Sequence, residues 1–190
     1  MKRDNTKVTP TFNNVHNKKY NTEDGVKWDS RACAVVAHVW FIHKGVPYML
    51  IGKRGPGCDQ PNLWNIPCGY MDWNENLKGA IHREVWEETG LNLNTFNGFV
   101  TLQMLDQPWY VNTDPSENRQ NIVLHGAIIV DNVFDTLPEL SLENMEEDES
   151  TGAYWMSLDS ILAMDSKEFA FNHKERVLHF VSKFGNKLKK

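Results

Sequence analysis

Five carboxylates fall between Gly69 and Leu91, at Asp72, Glu75, Glu84, Glu87 and Glu88, in the stretch GYMDWNENLKGAIHREVWEETGL. Glu84 precedes Glu87 by three residues and Glu88 by four. On an α-helix those offsets place all three within an arc of roughly 100°. Arg83 borders the same arc, four residues before Glu87. Like charges this close weaken an isolated helix, and a local conflict of that kind often marks a functional site. A divalent cation relieves it, and hard oxygen donors suit Mg²⁺ or Mn²⁺. The bland alternative is a solvated acidic face with one salt-bridging arginine.

The element that positions these groups is a helix from Leu77 to Glu88. Leu77, Ala80, Ile81 and Val85 recur at helical spacing beside the acidic arc, and Thr89-Gly90 supplies a stop. The full pattern is Gly69, five residues, Glu75, seven residues, Arg83-Glu84, Val85, one residue, Glu87-Glu88, one residue, Gly90, Leu91. It resembles the complete signature of the Nudix (MutT-like) hydrolases, with no fixed position missing. A looser resemblance runs from about Arg31 to about Phe184. The approach Trp64, Ile66, Pro67, Gly69 also resembles that family, although Cys68 stands where a glycine is usual. Cys68 reads as a small buried residue, since no partner base for a nucleophilic role is visible.

The resemblance implies an α/β fold, a Nudix-type α/β/α sandwich with a mixed central sheet. It also implies hydrolysis of a phosphoanhydride in a nucleoside diphosphate linked to a second group. Cations would lower the pKa of a bound water and neutralise charge on the phosphoryl oxygens. On this reading Glu84, Glu87 and Glu88, with Gly69 at the turn, form the metal site for Mg²⁺ or Mn²⁺. Arg83 orients Glu87, and Glu75 interacts with Arg83 or supports the loop. Glu149 is the later acidic candidate near the metal, with Glu146, Glu147 and Asp148 beside it as alternatives. The general base stays open among Glu87, Glu88 and Glu149.

The rest of the chain supplies strands around that helix. Arg31–Ile42 reads as a strand buried on both faces and Tyr48–Lys53 as its hairpin partner, leading through Arg54 into a breaker-rich loop. Phe99–Leu105 and Asn121–Val130 read as strands, and Asp106–Gln120 between them as a long polar loop. Its pair Trp109-Tyr110 is expected to be exposed, either stacking on a base or pinning the loop to the body. Together with Arg54 these are the substrate-binding candidates. Ala153–Met156 reads as a short strand and Ser157 as the cap of a helix to Met164. Asn172 and Glu175 read as a capping box for a last helix with a Val177, Phe180, Val181, Phe184 stripe, and His173 as a capping or surface residue.

At 190 residues the chain suits one main domain. Residues 1–29 read as a polar N-terminal arm and 30–186 as the Nudix domain. The arm is read either as disordered or as packing on a partner subunit in a homodimer. The net charge of −5 argues against general nucleic-acid binding, and against an RNA-end hydrolase. The lysines near the C-terminus read as a solvated tail. The longest apolar run, Ala32–Ile42, is too short to span a bilayer, and the first residues do not resemble a secretory signal. Three cysteines without C-x-x-C spacing suit reduced thiols in the cytoplasm. The expected partner is a small nucleotide, with no nucleic acid and no membrane. ADP-ribose or a similar sugar nucleotide is the first expectation for the substrate. The alternatives are a nucleoside triphosphate pyrophosphohydrolase and a non-catalytic nucleotide-sensing relative.

Overall fold

In a computed structural model, the described residues are 17–115, 121–132, 135–141, 143 and 148–189. The chain divides into two compact units, Met1–Arg31 and Ala32–Lys190. In the first, β1 (Lys18–Thr22) and β2 (Gly25–Asp29) form an antiparallel hairpin with every residue exposed. Within the arm read from the sequence, the described residues thus carry two strands, while residues 1–16 lie outside them.

The second unit is built on β3 (Cys33–His43), whose eight central residues are buried. Successive strand residues point to opposite faces, so burial on both faces requires a layer on each side. Val35, Ala37, Val39 and Phe41 pack on one side, against Leu77, Ala80, Ile81 and Val85 of helix α1 (Leu77–Thr89). Val36, Trp40 and Ile42 pack on the other, with Ile161 of α2 (Leu158–Ala163) and Val177 and Phe180 of α3 (His173–Phe184). The result is helix, sheet, helix: an α/β/α sandwich.

The sheet is mixed. Along its main path β10 (Ser150–Ser157), β4 (Val46–Arg54), β3, β9 (Ile122–Asn132) and β7 (Val100–Met104) follow in that order, and β3 and β9 run parallel from Cys33↔Ile122 to His43↔Asn132. The turn joining β3 to β4 is Lys44-Gly45, both at positive φ (51° and 77°), the geometry that matches strand twist in tight hairpins. Only the second half of β3, from Trp40 to His43, pairs with β4. Its first half pairs instead with β6 (Cys68–Tyr70), while β5 (Trp64–Asn65) pairs with β4. That exchange of partners splays the sheet and brings the segment before α1 onto its central strand.

The Asp106–Gln120 segment differs from the expected loop. Residues 110–112 form β8 (Tyr110–Asn112), antiparallel to β9; residues 116–120 lie outside the described residues. Leu93–Phe99 is a 3₁₀ turn. Among the described residues no helix is long and apolar enough to cross a membrane.

Candidate active site on the acidic helix

Helix α1 begins where Asn76 accepts from Gly79 N–H (2.8 Å) and ends at Gly90, whose φ of 69° is the left-handed cap. Burial of the Leu77, Ala80, Ile81 and Val85 stripe rolls the acidic arc toward β6. Glu84 is 8% exposed. A Cβ on Gly69 would lie 2.2 Å from Glu84 Oε1, so only glycine lets strand and carboxylate approach this closely. Glu88 Oε1 accepts from the Cys68 backbone N–H at 3.3 Å.

Arg83 ties the acidic groups together. Its Nε and Nη2 grip Glu75 at 2.8 and 2.9 Å, and Nη2 also donates to the Tyr70 carbonyl at 2.9 Å. Its Nη1 reaches Glu84 Oε1 at 2.8 Å and Glu87 Oε2 at 3.0 Å. The side chain is 25% exposed, so water screens these pairs less than on an open surface. Arg83 therefore pairs with Glu75 and Glu84 as well as with Glu87.

The charge distribution is uneven. Burial raises the Glu84 carboxyl to about 7, against the opposing pull of Arg83. Burial, then the charge of Glu84, raises Glu88 to about 8, while the Cys68 N–H and Arg54 pull the other way. Hydrogen bonding to Arg83 lowers Glu75. Burial pushes the Cys68 thiol up, with Glu88 adding to the effect, so Cys68 is a thiol and not a thiolate nucleophile. Glu149 bears electrostatically on both Glu84 and Glu88. Its carbonyl accepts from Gly55 N–H at 2.9 Å and from Cys58 Sγ at 3.1 Å. Of the alternatives, Asp148 is described at φ 69°, while Glu146 and Glu147 lie outside the described residues.

Glu84, Glu87 and Glu88 offer hard oxygens of the kind Mg²⁺ or Mn²⁺ takes. Among the described residues, no group of three or more acidic, histidine or cysteine side chains is already gathered around one point; Glu84 and Glu87 share Arg83 instead. Two partly covered carboxylates with raised pKa values suit a cation that would offset their like charge.

Next to these groups opens a cleft of about 760 Å³. Val35 and Val36 of β3 and Cys68, Gly69 and Tyr70 of β6 form one wall, and Arg54, Phe171, His125, His173 and Arg176 line the rest. Arg54 lies over the Phe171 ring at 4.6 Å and donates from Nε to the Asp59 carbonyl at 2.6 Å.

The Trp109-Tyr110 pair is not on this wall. Trp109 is half-buried, with its ring edge-on to His38 (5.0 Å) and Phe180 (5.2 Å). Tyr110 is likewise half-buried, and its hydroxyl meets Arg176 Nη1 at 3.1 Å. The aromatics pin the segment to the body because β8 pairing turns Trp109 inward. His173 is also not a surface residue: it is 3% exposed, and its Nδ1 accepts from Ile66 N–H at 3.0 Å. The expected capping box at Asn172 does not form, because Phe171 and Asn172 both take positive φ (53° and 56°) and Asn172 makes no side-chain cap bond. Sequence reasoning missed His125, Arg176, Phe171 and Tyr70. A histidine inside the apolar run NIVLHGAIIV was the one local signal among them.

A NUDIX domain model matches residues 33–180. The comparison with curated proteins found no match. Among solved structures, a bifunctional NMN adenylyltransferase/ADP ribose pyrophosphatase from Francisella tularensis, complexed with AMP and Mn, is similar with a TM-score of 0.61 and 19% identity, over 81% of this chain and 42% of that one. The chain thus spans less than half of the Francisella protein. The NUDIX domain of Shewanella oneidensis NrtR complexed with ADP ribose gives 0.58 and 16%, over 84% and 90% of the two chains. A MutT protein from Methanosarcina mazei Go1 gives 0.54 and 23%, over 84% and 96%. The helix with its arginine-bound glutamates, the mixed sheet between helical layers and the match across most of the sequence agree, and the chain belongs to the NUDIX (MutT-like) hydrolase family.

Proposed function

We propose that the protein hydrolyses the phosphoanhydride of a nucleoside diphosphate linked to a second group, with ADP-ribose or a similar sugar nucleotide as its substrate class. The observation that carries this reading is the junction of two surfaces. The acidic groups of α1 lie against β6, and β6 is also the wall of a polar cleft containing Arg54 and Arg176. The ADP ribose named for the Shewanella domain, and the pyrophosphatase named for the Francisella protein, support the choice of substrate.

Glu84, Glu87 and Glu88 would hold divalent cations, Mg²⁺ first and Mn²⁺ as a substitute, which supply water activation and charge neutralisation at phosphorus. The chain's own groups do the positioning. Arg83 fixes Glu84 and Glu87 through one nitrogen, and Glu75 holds Arg83 from its other side. The Cys68 N–H orients Glu88. Arg54 lies close enough to Glu88 to lower its pKa and faces the cleft, a suitable place for a guanidinium that meets phosphoryl oxygens. Glu87, Glu88 and Glu149 are the groups eligible to take a proton from water.

A panel of nucleoside diphosphate conjugates and triphosphates with Mg²⁺, following release of monophosphate, phosphate and pyrophosphate, tests the reading. Release of nucleoside monophosphate from ADP-ribose, abolished by excess EDTA, is the expected result. Pyrophosphate from triphosphates alone would replace the substrate assignment. Binding without turnover of any compound would replace catalysis with sensing.

A further inference from the structure

Two imidazoles line the cleft and have no part in the reaction as described. His125 comes from β9 and His173 from the start of α3; they are 2% and 3% exposed. Each already has its Nδ1 engaged. Ile66 N–H donates to His173 Nδ1, so the neutral ring carries its proton on Nε2. His125 Nδ1 lies 3.2 Å from His38 Nε2, and one of the two must donate. Among the described residues, the buried Nδ1 of His38 has no hydrogen-bond partner. If His38 donates through Nε2, that orphan is a bare lone pair. The reverse arrangement would bury an N–H without an acceptor, which is the rarer outcome in folded proteins. His38 therefore donates, and His125 keeps its proton on Nε2. The ring of His38 is itself held, with Phe180 stacked at 5.4 Å and Trp109 edge-on at 5.0 Å.

Burial, together with the positive charge of Arg176, keeps both rings uncharged, each pKa lowered to about 3. Two neutral N–H donors of fixed tautomer thus belong to one cleft. The remaining lining favours a hydroxylated ligand over a flat base. Arg54 already covers a face of Phe171, and the Tyr70 hydroxyl is bonded to Asn121 Nδ2 at 3.1 Å. Asn112, Asn121 and Gln60 add amides around the same space.

Resting on the hydrolase reading above, we infer that His125 and His173 are paired donors to the sugar-phosphate half of the substrate, and that His38 is a positioning residue that sets the His125 tautomer. Ordered acceptors such as ribose hydroxyl and phosphate oxygens match two fixed N–H groups without asking either ring to become charged.

Long-range proton–nitrogen NMR of the full chain, labelled with ¹⁵N and free of metal, reads imidazole tautomers directly. The expected spectrum at neutral pH shows His125 and His173 protonated on Nε2. Ribose 5-phosphate should move both Nε2 resonances and adenosine neither. Resonances that ignore ribose 5-phosphate, or that follow adenosine instead, overturn the inference. His38→Leu should leave His125 in mixed tautomers and raise KM about tenfold with kcat within about twofold, the scale of one lost hydrogen bond. His38→Gln, whose amide can donate to His125 Nδ1, should restore both. An unchanged His125 tautomer in His38→Leu removes the positioning role. Should that variant fail to fold, the titration of the parent protein still decides the ligand. Should no nucleotide be hydrolysed, the hydrolase reading falls while the NMR result stands separately.

Discussion

Gly69 and Glu84 are in contact so close that a methyl group at position 69 would overlap the carboxylate, 2.2 Å from Oε1 and 2.5 Å from Oε2. The strand that walls the cleft and the helix that carries the acidic groups meet here, as they also do where Cys68 N–H bonds Glu88 and the Tyr70 carbonyl bonds Arg83. Gly69→Ala must therefore push Glu84 from its place between Arg83 and β6. The expected effect is a loss of turnover on the order of 10²-fold, about 2.7 kcal/mol of barrier, with the circular dichroism spectrum unchanged. Parent-level kcat in this variant would show that the placement of Glu84 does not matter to the reaction.

Glu88→Gln keeps shape and hydrogen-bonding ability while removing the carboxyl group that must ionise beside Glu84 to hold a cation. Turnover should fall by about 10³-fold, on the order of 4 kcal/mol. In chelator the variant should melt no lower than the parent, because burial and the neighbouring Glu84 already favour the uncharged form of Glu88, which glutamine resembles. A large fall in melting temperature would make Glu88 a structural residue.

Arg83→Lys retains one positive charge but cannot grip Glu75 with two nitrogens while also reaching Glu84 and Glu87. A drop of about 10²-fold in kcat/KM is expected. The substitution should also weaken cation binding, measured by calorimetry without nucleotide. Unchanged cation affinity would confine Arg83 to holding the loop.

Trp109→Ala should act mainly on stability, with any rise in KM no larger than that of His38→Leu, whose ring it touches. The ring packs against His38, Phe180 and Phe184, and truncating a packed tryptophan costs about 3–5 kcal/mol. Chemical denaturation checks it. A normal unfolding midpoint would show that the ring does not pin the segment and would favour the other role read from the sequence, stacking on a base.

The buried histidines set a pH dependence. Burial lowers His125 and His173 to about 3 in the folded chain, against an ordinary 6.5. The unfolded chain therefore takes up protons first as pH falls. Their contribution is full above pH 6.5 and is lost progressively below it, at about 1.4 kcal/mol per pH unit for each ring. Glu84 and Glu88, with raised values, run the other way between pH 8 and 4.5, so the comparison with a variant isolates one ring. His173→Gln keeps an acceptor for Ile66 N–H and should flatten the slope of stability between pH 6 and 4 by about one proton. An identical slope would mean that His173 is protonated in the folded protein.

What the sequence alone determined is what depends on neighbours three and four residues apart. The helix Leu77–Thr89, its glycine stop and the acidic arc follow from local spacing, and so does the Ser157 cap, whose side chain accepts from Ser160 N–H. Burial on both faces of β3 was legible because its apolar run does not alternate. The tertiary structure decided which distant groups share the cleft. His38 meets His125 across 87 positions of chain, and Ile66 meets His173 across 107; strand pairing and helix docking make those meetings, and no local period encodes them. Trp109 turned inward for the same reason, since β8 pairs with β9 and an aromatic ring in a polar stretch looks the same whichever way it faces. Asn172 carried a good capping sequence that was overruled when Gln60, from a loop 111 residues from Phe171, accepted the Phe171 N–H beside two left-handed residues. A local preference worth about 1 kcal/mol yields when tertiary contacts hold the backbone elsewhere.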